Sequence, residues 1–170
     1  MRTRILAVAW AVMAVAPVSG RSAAPTVVVP AHGEPAYRIA GEAFRDLWEK
    51  ATGDRPALAP AADPDDGTLP AGDVVLVGSD AVHRAVQRLL LQGTVTNLGI
   101  RYGTDDYRIL SVPQGGRTLL VLAGGAGRST IYAVYDFFRR QAGAEYFWDG
   151  DVVPRRPGLE IGRASCRERV

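Results

Sequence analysis

Between Asp73 and Gly78 the chain runs Val74-Val75-Leu76-Val77 without a polar side chain, and this run limits the possible folds more than any other stretch. A strand with one face in water alternates apolar and polar residues, whereas a strand that is apolar at every position is covered on both faces. The chain must therefore build a sheet and supply helices to cover it on both sides.

Spacing locates those helices. Ile39, Ala43, Phe44, Leu47, Trp48 and Ala51 recur at intervals of three and four, with Glu42, Arg45, Asp46, Glu49 and Lys50 opposite, which predicts an amphipathic helix ending at Gly53. Before it, Thr26-Val27-Val28-Val29-Pro30 reads as a strand. After Gly78 a second helix is expected, with Ser79 or Asp80 as its cap, Val82, Val86, Leu89 and Leu90 as its apolar stripe, and Gly93 closing it. Two strand-like runs, Tyr107 to Val112 and Thr118 to Ala123, flank a short loop containing Gly115-Gly116 and predict a hairpin. The second run leads through Gly124-Gly125-Ala126-Gly127 into a third helix, with Ile131, Val134, Tyr135 and Phe138 inward and Gly143 at its end. Pro56 to Pro70 has no apolar period and predicts an exposed loop with a short strand at Ala57-Leu58. The order predicts an α/β (α+β) domain in which one mixed sheet is flanked by about three helices; the hairpin argues against a purely parallel, doubly wound sheet.

The two ends read differently from this body. Met1-Arg2-Thr3-Arg4 followed by the nearly unbroken apolar run Ile5 to Val18 predicts a secretory signal peptide over residues 1–20, cleaved near Val18-Ser19-Gly20. The apolar run of about 14 residues falls short of the roughly 20 that cross a bilayer, so no membrane association is expected once the signal is removed. Residues 25–160 are expected to form a single domain. Residues 161–170, IGRASCRERV, carry neither apolar periodicity nor turn logic, and are expected to pack against nothing. They resemble the in-frame translation of a common sequencing-library adapter, which reads the tail as read-through and the gene as cut short near Glu160.

Setting the ends aside changes the charge balance. Of 20 basic and 18 acidic residues, Arg2, Arg4, Arg163, Arg167 and Arg169 and the single acid Glu168 fall in the ends, leaving 15 and 17 in residues 21–160. A phosphate backbone is bound through clustered positive excess, so nucleic acid is not an expected partner. The one cysteine, Cys166, is also in the tail, and a body without thiols must be held by its core rather than by disulfides. Nineteen arginines against the single lysine Lys50 suggest a GC-rich genome, and with the signal peptide point to a bacterial secreted or periplasmic location.

Few motifs carry chemistry. Gly124-Gly125-Ala126-Gly127-Arg128-Ser129-Thr130 between a strand and a helix invites a phosphate-binding reading. Its spacing fails both tests, since Thr130 stands where a dinucleotide fingerprint needs glycine and no lysine follows the last glycine as a P-loop requires. A tight strand-to-helix turn capped by Ser129 is the expectation, with no cofactor. His32 and His83 stand far apart with no second ligand at metal spacing, and no G-x-S-x-G elbow is present. Surface or capping roles are expected for both histidines. Tyr146-Phe147-Trp148-Asp149-Gly150-Asp151 combines aromatic rings with carboxylates, the residue types that stack on sugars and hydrogen-bond their hydroxyls. Aromatics at this place more often pack a core or a domain interface, and two nearby carboxylates do not by themselves make a glycosidase pair. Tyr146, Trp148, Asp149 and Asp151 are therefore the candidate carbohydrate or domain-interface contacts.

AGEAFRDLWEKATG at residues 40–53, DVVLVG at 73–78, YRILSV at 107–112 and LAGGAGRSTIYAVYDFFRRQAGAEYFWDGDVVP at 122–154 together resemble the N-terminal domain that precedes the catalytic barrel in α-glucuronidases of families 67 and 115 and in family 20 β-hexosaminidases. The resemblance covers nearly all of residues 25–160 and is most specific from Gly124 to Pro154. It implies an accessory domain of a secreted glycoside hydrolase active in polysaccharide degradation. It also implies that the acid and base carboxylates lie in the barrel, so no catalytic, metal or cofactor residue is assigned here. The partner it implies is that catalytic barrel of the same polypeptide, expected to be missing from this chain; carbohydrate is a possible ligand. The alternatives are a small exported carbohydrate-binding module using Tyr146, Trp148 and Asp149, and, more weakly, a nucleotide-binding domain at Gly124 to Ser129.

Overall fold

A computed structural model describes residues 23–61 and 68–168; the expected signal peptide over residues 1–20 lies outside them. The first strand, β1 (Thr26–Val29), leads into α1 (Pro35–Thr52), followed by β2 (Leu58–Pro60), β3 (Val74–Val77) and α2 (Arg84–Leu91). Next come β4 (Tyr107–Gln114), β5 (Arg117–Gly124) and α3 (Gly127–Ala142). Beyond them lie β6 (Glu145–Phe147), β7 (Gly150–Val152), a 3-10 turn at Ile161–Arg163 and β8 (Ser165–Glu168). The main sheet has the order β2-β1-β3-β5-β4-β8, while β6 and β7 form a separate two-stranded ribbon. Strands β2, β1, β3 and β5 are parallel, and β4 is antiparallel to both β5 and β8. This is the mixed sheet flanked by helices that the element order predicts.

Strand β3 explains its own sequence. It lies between β1 and β5 with Val74, Val75, Leu76 and Val77 all fully buried, because successive side chains point to opposite faces and both faces are covered. On one face Val75 and Val77 pack with Val27, Leu120 and Leu122 beneath α1 and α3. On the other, Val74 and Leu76 pack with Val28, Leu119 and Val121 beneath α2 and Val95 and Leu98 in the segment after it. The first face holds the large side chains. Phe44 stacks on Trp48 with ring centroids 5.6 Å apart and meets Phe138 at 5.1 Å, and Phe137 meets Phe138 edge to face at 5.1 Å.

Helix boundaries follow local chemistry. Gly53 and Gly143 end α1 and α3 in the left-handed conformation, at φ 93° and 73°, where a Cβ would be strained. Asp136 on α3 is almost wholly buried and accepts hydrogen bonds from Arg139 and Arg140. Burial would raise its pKa, but bonds from Arg140 and Arg139 outweigh that and hold it below the usual carboxylate value.

The structure departs from the sequence reading at three points. Helix α2 begins at Arg84, after a turn in which the N–H groups of Val82 and His83 bond back to the Ser79 carbonyl at 3.1 and 2.8 Å. Neither Ser79 nor Asp80 is its cap; His83 occupies that position without a side-chain bond. Ile39 is more than half exposed, because the buried line of α1 runs through Tyr37, Ala40, Phe44, Leu47, Trp48 and Ala51. Spacing gives the period of a stripe but not its width.

The third departure is the tail. Ile161 and Ala164 are buried, the Ser111 N–H donates to the Ala164 carbonyl at 2.7 Å, and Ala164 N–H donates to Ser111 Oγ at 3.0 Å. Strand β8 then pairs with β4 from Leu110↔Ser165 to Tyr107↔Glu168. The missing apolar period is no obstacle, because a bare strand edge presents unpaired N–H and C=O groups that any extended backbone can satisfy.

Candidate functional site

The ribbon that holds the sequence-predicted contacts is built on one anchor. Tyr146 is half-buried, donates its hydroxyl to the Tyr135 carbonyl at 2.9 Å and sets its ring edge-on against Tyr135 at 4.7 Å. Burial is the main reason its pKa is raised, with the charge of Asp151 adding to it. Tyr146 therefore locks the ribbon to α3. The opposite side faces outward: Trp148 is 98% exposed, and Phe147 and Val152 are also exposed. Asp151 pairs with Tyr146 across the ribbon and lines a groove of about 500 Å³ against α1, with Arg38, Glu42, Asp46 and Tyr135. Asp149 and Trp148 are not among the residues lining that groove. The four candidates thus divide among an anchor, an outward turn and a groove wall, and do not converge on one pocket.

The glycine turn is closed by the protein's own atoms. A Cβ on Gly124 would overlap the Thr130 backbone N, one on Gly125 the Arg101 carbonyl, and one on Gly127 the Glu34 carboxylate. Ser129, the third residue of α3, accepts the Ala126 N–H at 2.9 Å. This is the tight strand-to-helix turn expected from the sequence, except that Ala126 rather than Ser129 occupies the N-cap and Ser129 supports it from within the first turn. Arg101 clamps the buried Asp106 beside it, with Nε 2.9 Å from Oδ2. An anion at the start of α3 would meet the Glu34 carboxylate, so the turn offers no room or charge for a phosphate.

His83 is not a surface residue, and although it stands at the N-cap position of α2 its side chain caps nothing. It is 1% exposed, and neither ring nitrogen has a hydrogen-bond partner. Backbone groups of Val28 and of His83 itself favour the charged ring slightly without making a bond of acceptable geometry, and burial dominates, lowering the pKa to about 4. The ring borders a mostly apolar hollow of about 330 Å³ with Val28, Pro60, Leu69 and Ala85.

Sequence reasoning missed a second concavity. The loop from β1 to α1 and the end of β2 enclose a cleft of about 510 Å³ lined by His32, Glu34, Tyr37 and Arg38. It lies where β1 ends, the side of a parallel sheet at which α/β folds bind ligands. The signal was the polar loop His32-Gly33-Glu34 placed between a strand and a helix start.

Among the described residues no group of three or more His, Cys, Asp or Glu could hold a metal, and no helix is long and apolar enough to cross a membrane. No protein-family model matches the chain, and no curated protein is detectably similar to it.

Proposed function

We propose that this chain is a non-catalytic accessory domain of a secreted bacterial glycoside hydrolase, α-glucuronidase-like or hexosaminidase-like, that braces the catalytic barrel of the same polypeptide. The observation that carries the reading is the outward ribbon. Phe147, Trp148 and Val152 stand exposed on one two-stranded ribbon, and exposed apolar side chains grouped in this way mark an interaction face. It falls within the segment where the family resemblance is most specific. The carboxylates of Asp149 and Asp151 lie on a surface ribbon rather than facing each other across an enclosed pocket, as glycoside cleavage would need.

The test is an assay of the chain with aryl glucuronide and aryl N-acetylglucosaminide substrates. No release above buffer is the expected outcome. Reproducible turnover abolished by Asp149→Asn or Asp151→Asn would overturn the reading.

A second reading, a small exported carbohydrate-binding module, draws on the fully presented indole of Trp148, which could stack on a sugar ring. Loss of polysaccharide binding in Trp148→Ala, with a monomeric wild type, would favour it.

A further inference from the structure

His83 is a buried polar residue whose side-chain hydrogen-bonding capacity goes wholly unused. Its side chain is 1% exposed, and neither Nδ1 nor Nε2 has a partner among the described residues. Buried polar groups are normally paired, and an unpaired one costs free energy. Folding alone would favour an apolar side chain at this position.

The ring is held firmly beside a cavity. On its N-terminal side the His83 N–H donates to the Ser79 carbonyl at 2.8 Å, and its own carbonyl accepts the Gln87 N–H at 3.0 Å, so the first turn of α2 fixes the residue from both directions. The hollow it borders, about 330 Å³, lies at the β2 edge of the sheet on the α2 face, with Val28, Ala59, Leu69, Pro70 and Ala85 as apolar walls. That size is at the small end of ligand sites, and apolar walls with one fixed polar group are their usual make-up. A buried water makes about three hydrogen bonds; here it would meet the imidazole and little else. An apolar molecule displaces so poorly held a water with a gain in affinity.

The hydrogen-bonding head follows from the imidazole. Burial keeps the ring neutral, with one nitrogen a donor and the other an acceptor. A hydroxyl both donates and accepts, so it suits either tautomer. An ionised head has no matching charge at the ring, because the guanidinium of Arg84 is exposed and donates to Gln87 at 3.0 Å. We propose that this hollow binds a small, neutral, apolar molecule of about the size of phenol, with its one hydroxyl hydrogen-bonded to the His83 ring. The ring nitrogens are covered, so the ligand reaches them through a small shift of the hollow's wall. The site lies on the opposite face of the sheet from the core that holds Tyr135 and Tyr146, and does not rest on the accessory reading.

The experiment titrates the full, isotope-labelled chain at neutral pH with phenol, and with toluene as the comparison that lacks the hydroxyl. Expected with phenol are saturable amide shifts at residues 58–61, 68–70 and 83–86, together with movement of the His83 ring nitrogen resonances. In His83→Leu the affinity for phenol relative to toluene should fall about fivefold or more, the worth of one hydrogen bond. Ala85→Leu fills the hollow while leaving the ring in place and should weaken both ligands, which keeps the test open should His83→Leu not fold. No saturable shift with phenol, ring nitrogens unmoved at saturation, a phenol-to-toluene ratio unchanged in His83→Leu, or binding unchanged in Ala85→Leu would each overturn the proposal.

Discussion

The two faces of the central sheet are closed by different means. Under α1 and α3, helices of 18 and 16 residues, the core is a stack of aromatic rings. Under α2, which has eight residues, the core is aliphatic, and at its edge sits an unpaired imidazole beside a hollow. Large rings packed against each other leave few voids and tie distant elements together. Small side chains under a short helix leave a less complete seal. The aromatic face should therefore govern global stability, and the aliphatic face should be where solution conditions act.

The largest expected effect tests the first half of that contrast. Phe44 is fully buried and touches Trp48, Phe137 and Phe138, so Phe44→Ala should cost about 4 kcal/mol by denaturant titration. Leu89→Ala on α2 should cost about 2 kcal/mol, the lower end of such changes, because a short helix can settle into the space. Equal losses at the two positions would break the comparison.

The next effect belongs to His83. Its folded pKa of about 4 lies below the ordinary 6.5, so the folded state binds fewer protons than the unfolded one in that interval. Its full contribution to stability is present above pH 6.5 and is lost as pH falls toward 4, by about 3 kcal/mol in all. Asp136 titrates below the ordinary 3.8, so its loss comes later, under more acid conditions. The difference between wild type and His83→Leu isolates the histidine: the variant should lose the slope between pH 6.5 and 4. A slope unchanged by the substitution would place the acid sensitivity elsewhere.

What could be read in the sequence follows the same division. The two helices of the aromatic face were legible because α1 and α3 repeat their apolar residues at intervals of three and four, from Ile39 to Ala51 and from Ile131 to Phe138, and β3 because nothing polar interrupts it. The hairpin was legible in Gly115-Gly116, whose φ values of 59° and 80° are those its turn demands. Illegible were features made by atoms that carry no pattern. Strand β8 is held by backbone bonds, Glu34 meets Gly127 across more than ninety residues of chain, and the burial of His83 depends on how the turn after β3 places it. A lone histidine in a sequence looks the same on a surface as in a core. The candidate contacts at residues 146–151 follow α3 in the sequence, but the inward turn of Tyr146 comes from the register of β6 on β7 and its bond to Tyr135, while Trp148 stands in the turn between the two strands.

The tail sharpens the contrast at the sheet's edge. Removing residues 161–170 strips Ile161 from the aromatic-face core and uncovers β4. Burying one such side chain stabilises by about 2 kcal/mol, so thermal or chemical denaturation should show a loss of that order. An unchanged midpoint would mean that the edge pairing contributes nothing in solution.

The smallest effect on stability is expected at the ribbon, where it separates folding from association. Trp148 is almost fully exposed and Phe147 is half exposed, so replacing both with Ser removes little surface that folding had buried, and stability should change by no more than about 0.5 kcal/mol. Association should respond far more. At about 25 cal/mol per Å², covering even 100 Å² of these rings contributes about 2.5 kcal/mol to a contact. If the ribbon is a face meant for another domain, the wild type should self-associate as its concentration rises through the micromolar range, and the double variant should remain monomeric at the same stability. Sedimentation velocity across that range reads the first quantity and denaturant titration the second. A strictly monomeric wild type would remove the argument for a covering domain and leave Trp148 as a binding residue in its own right.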